Sequence, residues 1–378
     1  MSILAISTTE HDAATCAACT SLPPVGARHG RLVVTTPTVH GRLLTAALLE
    51  DLGLDPAHHR DGRLTCDVPE HALDALPEAL AVGLPGELLD ASRAAFARRG
   101  DEAGGISEDV SDDAPTLRAL LRRLERGWLI DILGERRLDT SVQPIVDAAD
   151  GWRPFAHECL TRGRGPAGEV IPPGRLFAAA DRAALLFHLD RSARMTCIEN
   201  AARWDPAGRY FVNFTPTAIY NPAYCLKSTV EAVEAGGINP SQVTFEVIES
   251  VRMRDIPHLD KIFAVYRERG FTVALDDVGG GPASAEMVRA LRPDYVKVDR
   301  SLTSGVAGSP ANQLAIHELL RLAQEVGAEL IVEGVEHVEE ASWLAEAGIR
   351  LMQGYLFGRP EPTSPTSPTS GTPAARLR

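Results

Sequence analysis

From Ser141 to Phe357 short apolar runs end, again and again, on an acidic, amide or ammonium side chain, with helical patterns in between. This alternation is what most constrains the fold. Strand-like runs occupy Ser141–Asp147, Phe155–Thr161, Tyr210–Thr215, Val243–Glu249, Thr272–Asp277, Tyr295–Asp299, Glu329–Glu333 and Leu351–Phe357. Apolar residues at helical spacing fill many of the intervals, as in Leu176–Arg203, Pro257–Arg269 and Ala311–Gly327. Strands alternating with helices predict a largely parallel sheet with both faces buried. About eight strands in roughly 220 residues suit a (β/α)8 barrel better than an open doubly wound sheet.

In such a barrel the C-terminal strand ends converge on one mouth. The residues there are Glu158 in AHECL, Asn213 in YFVNF, Glu246 and Glu249 in FEVIES, Asp276 and Asp277 in VALDDVG, Lys297 and Asp299 in VKVDR, Glu333 and Glu336 in VEGVE, and Gln353 in MQGY. Taken singly, each is most often a solvated surface group. Together they are costly to bury, because carboxylates that converge need cations between them. Glu158, Asn213, Glu246, Asp276 and Asp277 offer hard oxygen donors, and no His or Cys stands at the strand ends, which selects Mg²⁺ or Mn²⁺ over Zn²⁺. The Asp276-Asp277 pair lets one carboxylate bridge two ions while the other binds only the second, as in-line phosphoryl displacement requires.

Charge narrows the partners. The net charge of -13 argues against a surface for duplex DNA, where Lys and Arg must replace counterions. It leaves room for a small phosphate ligand, since divalent ions neutralise carboxylate and phosphate alike. No apolar run approaches a membrane span, the N-terminus lacks signal-peptide regions, and the six cysteines are too sparse for a disulfide scaffold. A cytoplasmic protein is expected.

These motifs carry a family resemblance. The run from Gln143 to about Pro360 resembles the EAL domain, a TIM-like barrel that hydrolyses cyclic di-GMP to linear pGpG. The matching segments are QPIVD, ECLTR, VNFTP, FEVIES, DDVGGG, VKVDR, VEGVE and QGYLFGRP, in the family's order and roughly its spacing. The resemblance implies two Mg²⁺ or Mn²⁺ ions held by Glu158, Asn213, Glu246, Asp276 and Asp277. Glu333 would act at or beside the second ion, as ligand or base, and Lys297 would hold or help deprotonate the attacking water. Gln353 would contact the water or ligand shell, while Leu160 and Arg162 would contact the dinucleotide, Arg162 through a phosphate. Glu249 would brace the loop after Asp277, with Glu336 and Asp299 supporting from behind, and the barrel would pair as a homodimer.

Two departures stand out. The signature alanine is Cys159, read as a packing substitute. Where the family usually has DDFGTGYSS this chain has DDVGGGPAS, with Val278 for Phe and Pro282 for the aromatic after the glycines. In the family this loop links metal and substrate binding to dimerisation. The expected ligands are all present, which favours an active enzyme over a receptor or adaptor that binds cyclic di-GMP or a protein without turnover.

The rest of the chain divides around the barrel, expected at 140–362. Residues 1–98 resemble no family; RLVVTTP, a helical stretch, RLTCDVP and a second helical stretch predict a small α/β domain of two βα repeats. By analogy such a unit is often sensory, with a regulatory partner. Its Cys16 and Cys19 form a C-x-x-C that is half a zinc site with His11 and His29, a redox pair, or two cysteines of an N-terminal arm; the spacing to the histidines matches no finger pattern. Residues 99–115 are an acidic linker, and 363–378 a Ser/Thr/Pro tail. Between linker and barrel, 116–136 form an amphipathic helix that either connects the two domains or caps the larger one.

Overall fold

The computed structural model describes residues 30–73, 75–98, 114–166, 168–248 and 256–363. Cys16, Cys19, Glu249, nearly all of the acidic linker and the tail from 364 lie outside these residues.

Two sheets make up the described chain. The smaller holds β1 (Gly30–Thr35), β2 (Ala57–His58), β3 (Arg63–Val68) and β4 (Arg93–Arg98) in the order β2-β3-β1-β4. All its pairings are antiparallel. With helices after β1 and between β3 and β4 this is the split βαββαβ arrangement. Two βα repeats were expected. The difference is the short β2 and the Ala-rich β4, RAAFAR, whose small side chains carry little strand signal.

The larger sheet closes into a barrel of eight strands: β5 (Leu138–Asp147), β6 (Arg153–Arg164), β7 (Tyr210–Asn213), β8 (Val243–Ile248), β9 (Thr272–Val278), β10 (Tyr295–Val298), β11 (Glu329–Val332) and β12 (Leu351–Gln353). Neighbours from β6 to β12 pair in parallel, but β5 runs antiparallel to both β6 and β12. The α/β barrel expected from the sequence is therefore present, with one reversed strand. A second difference is that the long helical pattern from Leu176 is two helices, Pro173–Arg182 and Leu186–Trp204. The chain breaks at Ala184, whose φ is +55°.

Strand alternation explains where the mouth's polar groups come from. Ile145, Ala156, Phe211, Ala274, Ile331 and Leu351 form one buried apolar cluster, contributed by six strands of the barrel. Side chains two apart on a strand share a face. Two residues beyond Ala156, Phe211, Ala274, Ile331 and Leu351 stand Glu158, Asn213, Asp276, Glu333 and Gln353. On the reversed β5 the polar residue comes two positions earlier, at Gln143. The other faces, with Val212, Phe245, Val273, Val296 and Val332, pack under the surrounding helices.

One helix serves both cores. Leu117–Gly134 is capped by Thr116, whose hydroxyl accepts the Ala119 N–H at 3.2 Å. Its Leu117, Leu120, Leu121 and Leu124 pack with β1, β3 and β4, whereas Trp128, Leu129, Ile132 and Leu133 pack with Leu176, Leu185 and Leu189 beside the barrel. Arg175 spans the junction, 2.9 Å from the Glu78 carboxylate and 5.3 Å from the centre of the Trp128 ring.

On β6, His157 packs edge-on against Trp204, with ring centres 4.7 Å apart. Burial holds its imidazole neutral and lowers its pKa from 6.5 to about 4. A depressed folded-state value means stability present above pH 6.5 is lost as pH falls toward 4. The loss is on the order of 3 kcal/mol. We expect His157→Phe to remove this part of the acid sensitivity in urea unfolding measured across that range; parallel curves for the two proteins would contradict it.

Candidate functional site

Lys297 on β10 is fully buried, and its ammonium is the centre of the mouth. It lies 2.6 Å from Glu333, 2.9 Å from Glu246, 3.0 Å from Asp276 and 3.7 Å from Glu158. The Asn213 amide donates to Glu246 at 2.7 Å and to Glu158 at 3.3 Å. Gln353 donates to the other Glu158 oxygen at 2.6 Å and to Gln143 at 3.2 Å. Every donor in the cluster is thus turned onto a carboxylate or an amide oxygen.

Asp277 reaches the cluster through a backbone irregularity. In a regular strand it would face the opposite side from Asp276. The β9–β10 register shifts between Leu275 and Val278, and Asp277 adopts a left-handed φ of +57°. Such bulges re-aim side chains, and Asp tolerates this conformation better than most residues. One oxygen each from Glu158, Glu246 and Asp276 lie within 4.8 Å of one another, and so do oxygens from Asp276, Asp277 and Glu333. Asp276 belongs to both groups.

Electrostatics is strained accordingly. Burial, together with the neighbouring carboxylates, raises the Glu246 pKa well above its usual value despite Lys297. Burial likewise pushes Glu333 up to about 8. Asp277 is raised by burial and by Asp276. Glu158 goes the other way: burial opposes its charge, but Lys297 and the hydrogen bonds from its neighbours outweigh it. Burial also works against the Lys297 ammonium, and the carboxylates around it more than compensate, so it stays protonated. Glu246 Oε2 lies buried without a well-formed hydrogen bond, meeting Lys297 only as an ion pair.

Five carboxylates against one ammonium leave a deficit of positive charge. The donors are hard oxygens, with no His or Cys in either group. That set fits Mg²⁺ or Mn²⁺.

The other sequence candidates lie around the cluster. Arg162 donates back to the Thr161 carbonyl at 2.9 Å, and neither it nor Leu160 lines the cavity at the mouth. Asp299 caps the short helix Arg300–Thr303 by accepting the Ser301 N–H at 3.0 Å. Glu336 lines the cavity and pairs with Arg300 at 2.9 Å. Pro282, in place of the expected aromatic, opens the helix Pro282–Leu291, where a proline costs no hydrogen bond, and Val278 is fully buried.

Gln143, Arg300, Gly354 and Tyr355 also line the cavity and were not among the candidates. Gln143 escaped because β5 is reversed, so its polar residue opens the apolar run instead of ending it. Gly354 had a readable signal only in three dimensions: a Cβ there would stand 2.0 Å from the Val335 carbonyl oxygen.

Comparison with known proteins places this arrangement. Cyclic di-GMP phosphodiesterase NbdA of Pseudomonas aeruginosa is 28% identical over 234 residues, covering 61% of this chain and 30% of that protein. The chain spans about a third of the length of the first curated relatives it matches. Among solved structures, a standalone EAL protein from Vibrio cholerae, in its c-di-GMP-bound form, is 29% identical with a TM-score of 0.54, covering 60% of this chain and 93% of that one. The Klebsiella pneumoniae BlrP1 calcium/cy-diGMP complex shares the fold at 22% identity and a TM-score of 0.56, covering 89% of this chain and 97% of that one. Residues 126–360, more than half of the chain, match the EAL domain. The chain belongs to the EAL domain family.

Proposed function

We propose that this protein hydrolyses cyclic di-GMP to linear pGpG in bacterial second-messenger signalling, using two divalent cations at the barrel mouth. The observation that carries the reading is the pair of carboxylate groups that share Asp276 around a buried Lys297. Relatives named as cyclic di-GMP phosphodiesterases support the choice of substrate.

Glu158, Asn213, Glu246 and Asp276 would hold one ion, and Asp276, Asp277 and Glu333 the other. Cations bound there supply the charge that offsets the carboxylates and lowers the pKa of an attacking water. The chain's own groups then divide the work. Lys297, held protonated by its neighbours, is suited to orienting the water and less to removing its proton. Glu333, whose pKa of about 8 belongs to the ion-free protein, would give up its proton when the second ion binds and then serve there as ligand or as base. Gln353 steadies Glu158, and Arg162, released from the Thr161 carbonyl, would meet a phosphate. Water would attack phosphorus in line and pass its proton to a base at the mouth, the bond to the 3′-oxygen would break, and that oxygen, its charge offset by the second cation, would take a proton from solvent as the ring opens.

Full-length protein with Mn²⁺ is expected to yield pGpG by chromatography. Glu158→Ala should lower turnover by more than the roughly 10–100-fold typical of losing a residue behind the ligands. Binding of the dinucleotide with no pGpG at any Mg²⁺ or Mn²⁺ concentration would instead favour a receptor. Because Glu333, with a pKa of about 8, is largely protonated at pH 7 in the ion-free protein, and burial raises Glu246 as well, Mn²⁺ binding should release protons, and affinity should rise with pH toward about 8. Calorimetry in buffers of different ionisation enthalpy checks this; an identical heat in every buffer would contradict it. Pairing of two barrels belongs to the same proposal, and gel filtration showing only monomer, with and without ligand, would exclude it.

A further inference from the structure

A second buried ion pair lies outside the mouth. Asp190 and Arg194, one turn apart on the Leu186–Trp204 helix, are each 1% exposed. The Arg194 guanidinium reaches Asp190 Oδ2 at 2.9 Å and also donates to the Thr229 hydroxyl on the helix Lys227–Ala235. The remaining Asp190 oxygen, Oδ1, accepts the backbone N–H of Thr215 at 2.6 Å. Thr215 is two residues past Asn213, the last residue of β7.

Backbone tethers beyond Asn213 are few. The Phe214 N–H donates to the Glu246 carbonyl at 3.0 Å. Thr215 follows, and Pro216 has no N–H to give. The bond to Asp190 is therefore the last main-chain N–H tether before the chain turns away. A buried ion pair seldom stabilises a fold more than apolar packing of the same volume, and its better-attested use is to specify one arrangement. Here it specifies where the end of β7 sits.

We propose that Asp190 is a positioning residue for the mouth: held by Arg194, it fixes through the Thr215 N–H the backbone that sets the Asn213 amide between Glu158 and Glu246. The proposal rests on the two-cation reading above and adds a residue that does not itself touch an ion. Its prediction is that cation affinity depends on this bond even where fold stability does not.

The test is Mn²⁺ binding to the full chain, read by the paramagnetic resonance signal of free Mn²⁺ and by calorimetry. In the double variant Asp190→Leu/Arg194→Met both charges leave together, so melting temperature should hold or rise. Its Mn²⁺ dissociation constant should increase about tenfold or more, the range expected for losing a hydrogen bond to a charged group. Thr215→Pro removes the N–H donor while both charges stay, with φ moving from -105° toward the proline value, and should weaken Mn²⁺ similarly. Wild-type affinity in whichever of the two variants is folded would overturn the proposal. Absence of Mn²⁺ binding in the wild-type protein is a different result, and would remove the two-cation reading together with this inference.

Discussion

The structure turns on an imbalance of charge at one end of a barrel. Lys297 is fully buried with four carboxylates within 3.7 Å, and Asp277 joins them through the bulge in β9. Such a cluster is expensive to bury, and one ammonium cannot neutralise it. Shifted proton affinities at Glu246 and Glu333 are how the ion-free protein accommodates the excess. Small apolar side chains such as Ala156 and Ala274 fill the barrel beneath, and the alternation of each strand carries the polar group above. Barrel packing and the acidic mouth are thus two readings of the same period of two.

That is why so much of the barrel and the site was legible in the sequence. An apolar run ending in a carboxylate says both that a strand is buried and that its last inward position is not. The pattern is blind to direction, however, so β5 looked like every other strand and Gln143 was passed over. It is also blind to local backbone. Ala184 sits in an unbroken apolar pattern, yet its positive φ divides one expected helix into two. Asp190 and Arg194 were invisible for a third reason. Charged residues on a helix ordinarily face water, and only packing shows that this pair is enclosed between the barrel and a neighbouring helix.

The N-terminal sheet is joined to the barrel by a single helix that has no core of its own. Its first half belongs to the small sheet's core and its second half to the layer formed by Leu176, Leu185 and Leu189. Leu176 also lies close to Gly163 on β6, where a Cβ would come within 3.1 Å of it. β6 is the strand that carries Glu158, Leu160 and Arg162. The small domain and the mouth are therefore connected by continuous packing, with Arg175 at the junction. Among the described residues, no helix is long and apolar enough to cross a membrane.

The proposed pair of cations sharing Asp276 would be visible by diffraction at the manganese absorption edge from crystals grown with Mn²⁺. Two anomalous peaks are expected on either side of the Asp276 carboxylate, one toward Glu158 and Glu246 and one toward Asp277 and Glu333. No peak at the mouth, or a single peak that leaves Asp276 uncoordinated, would contradict it.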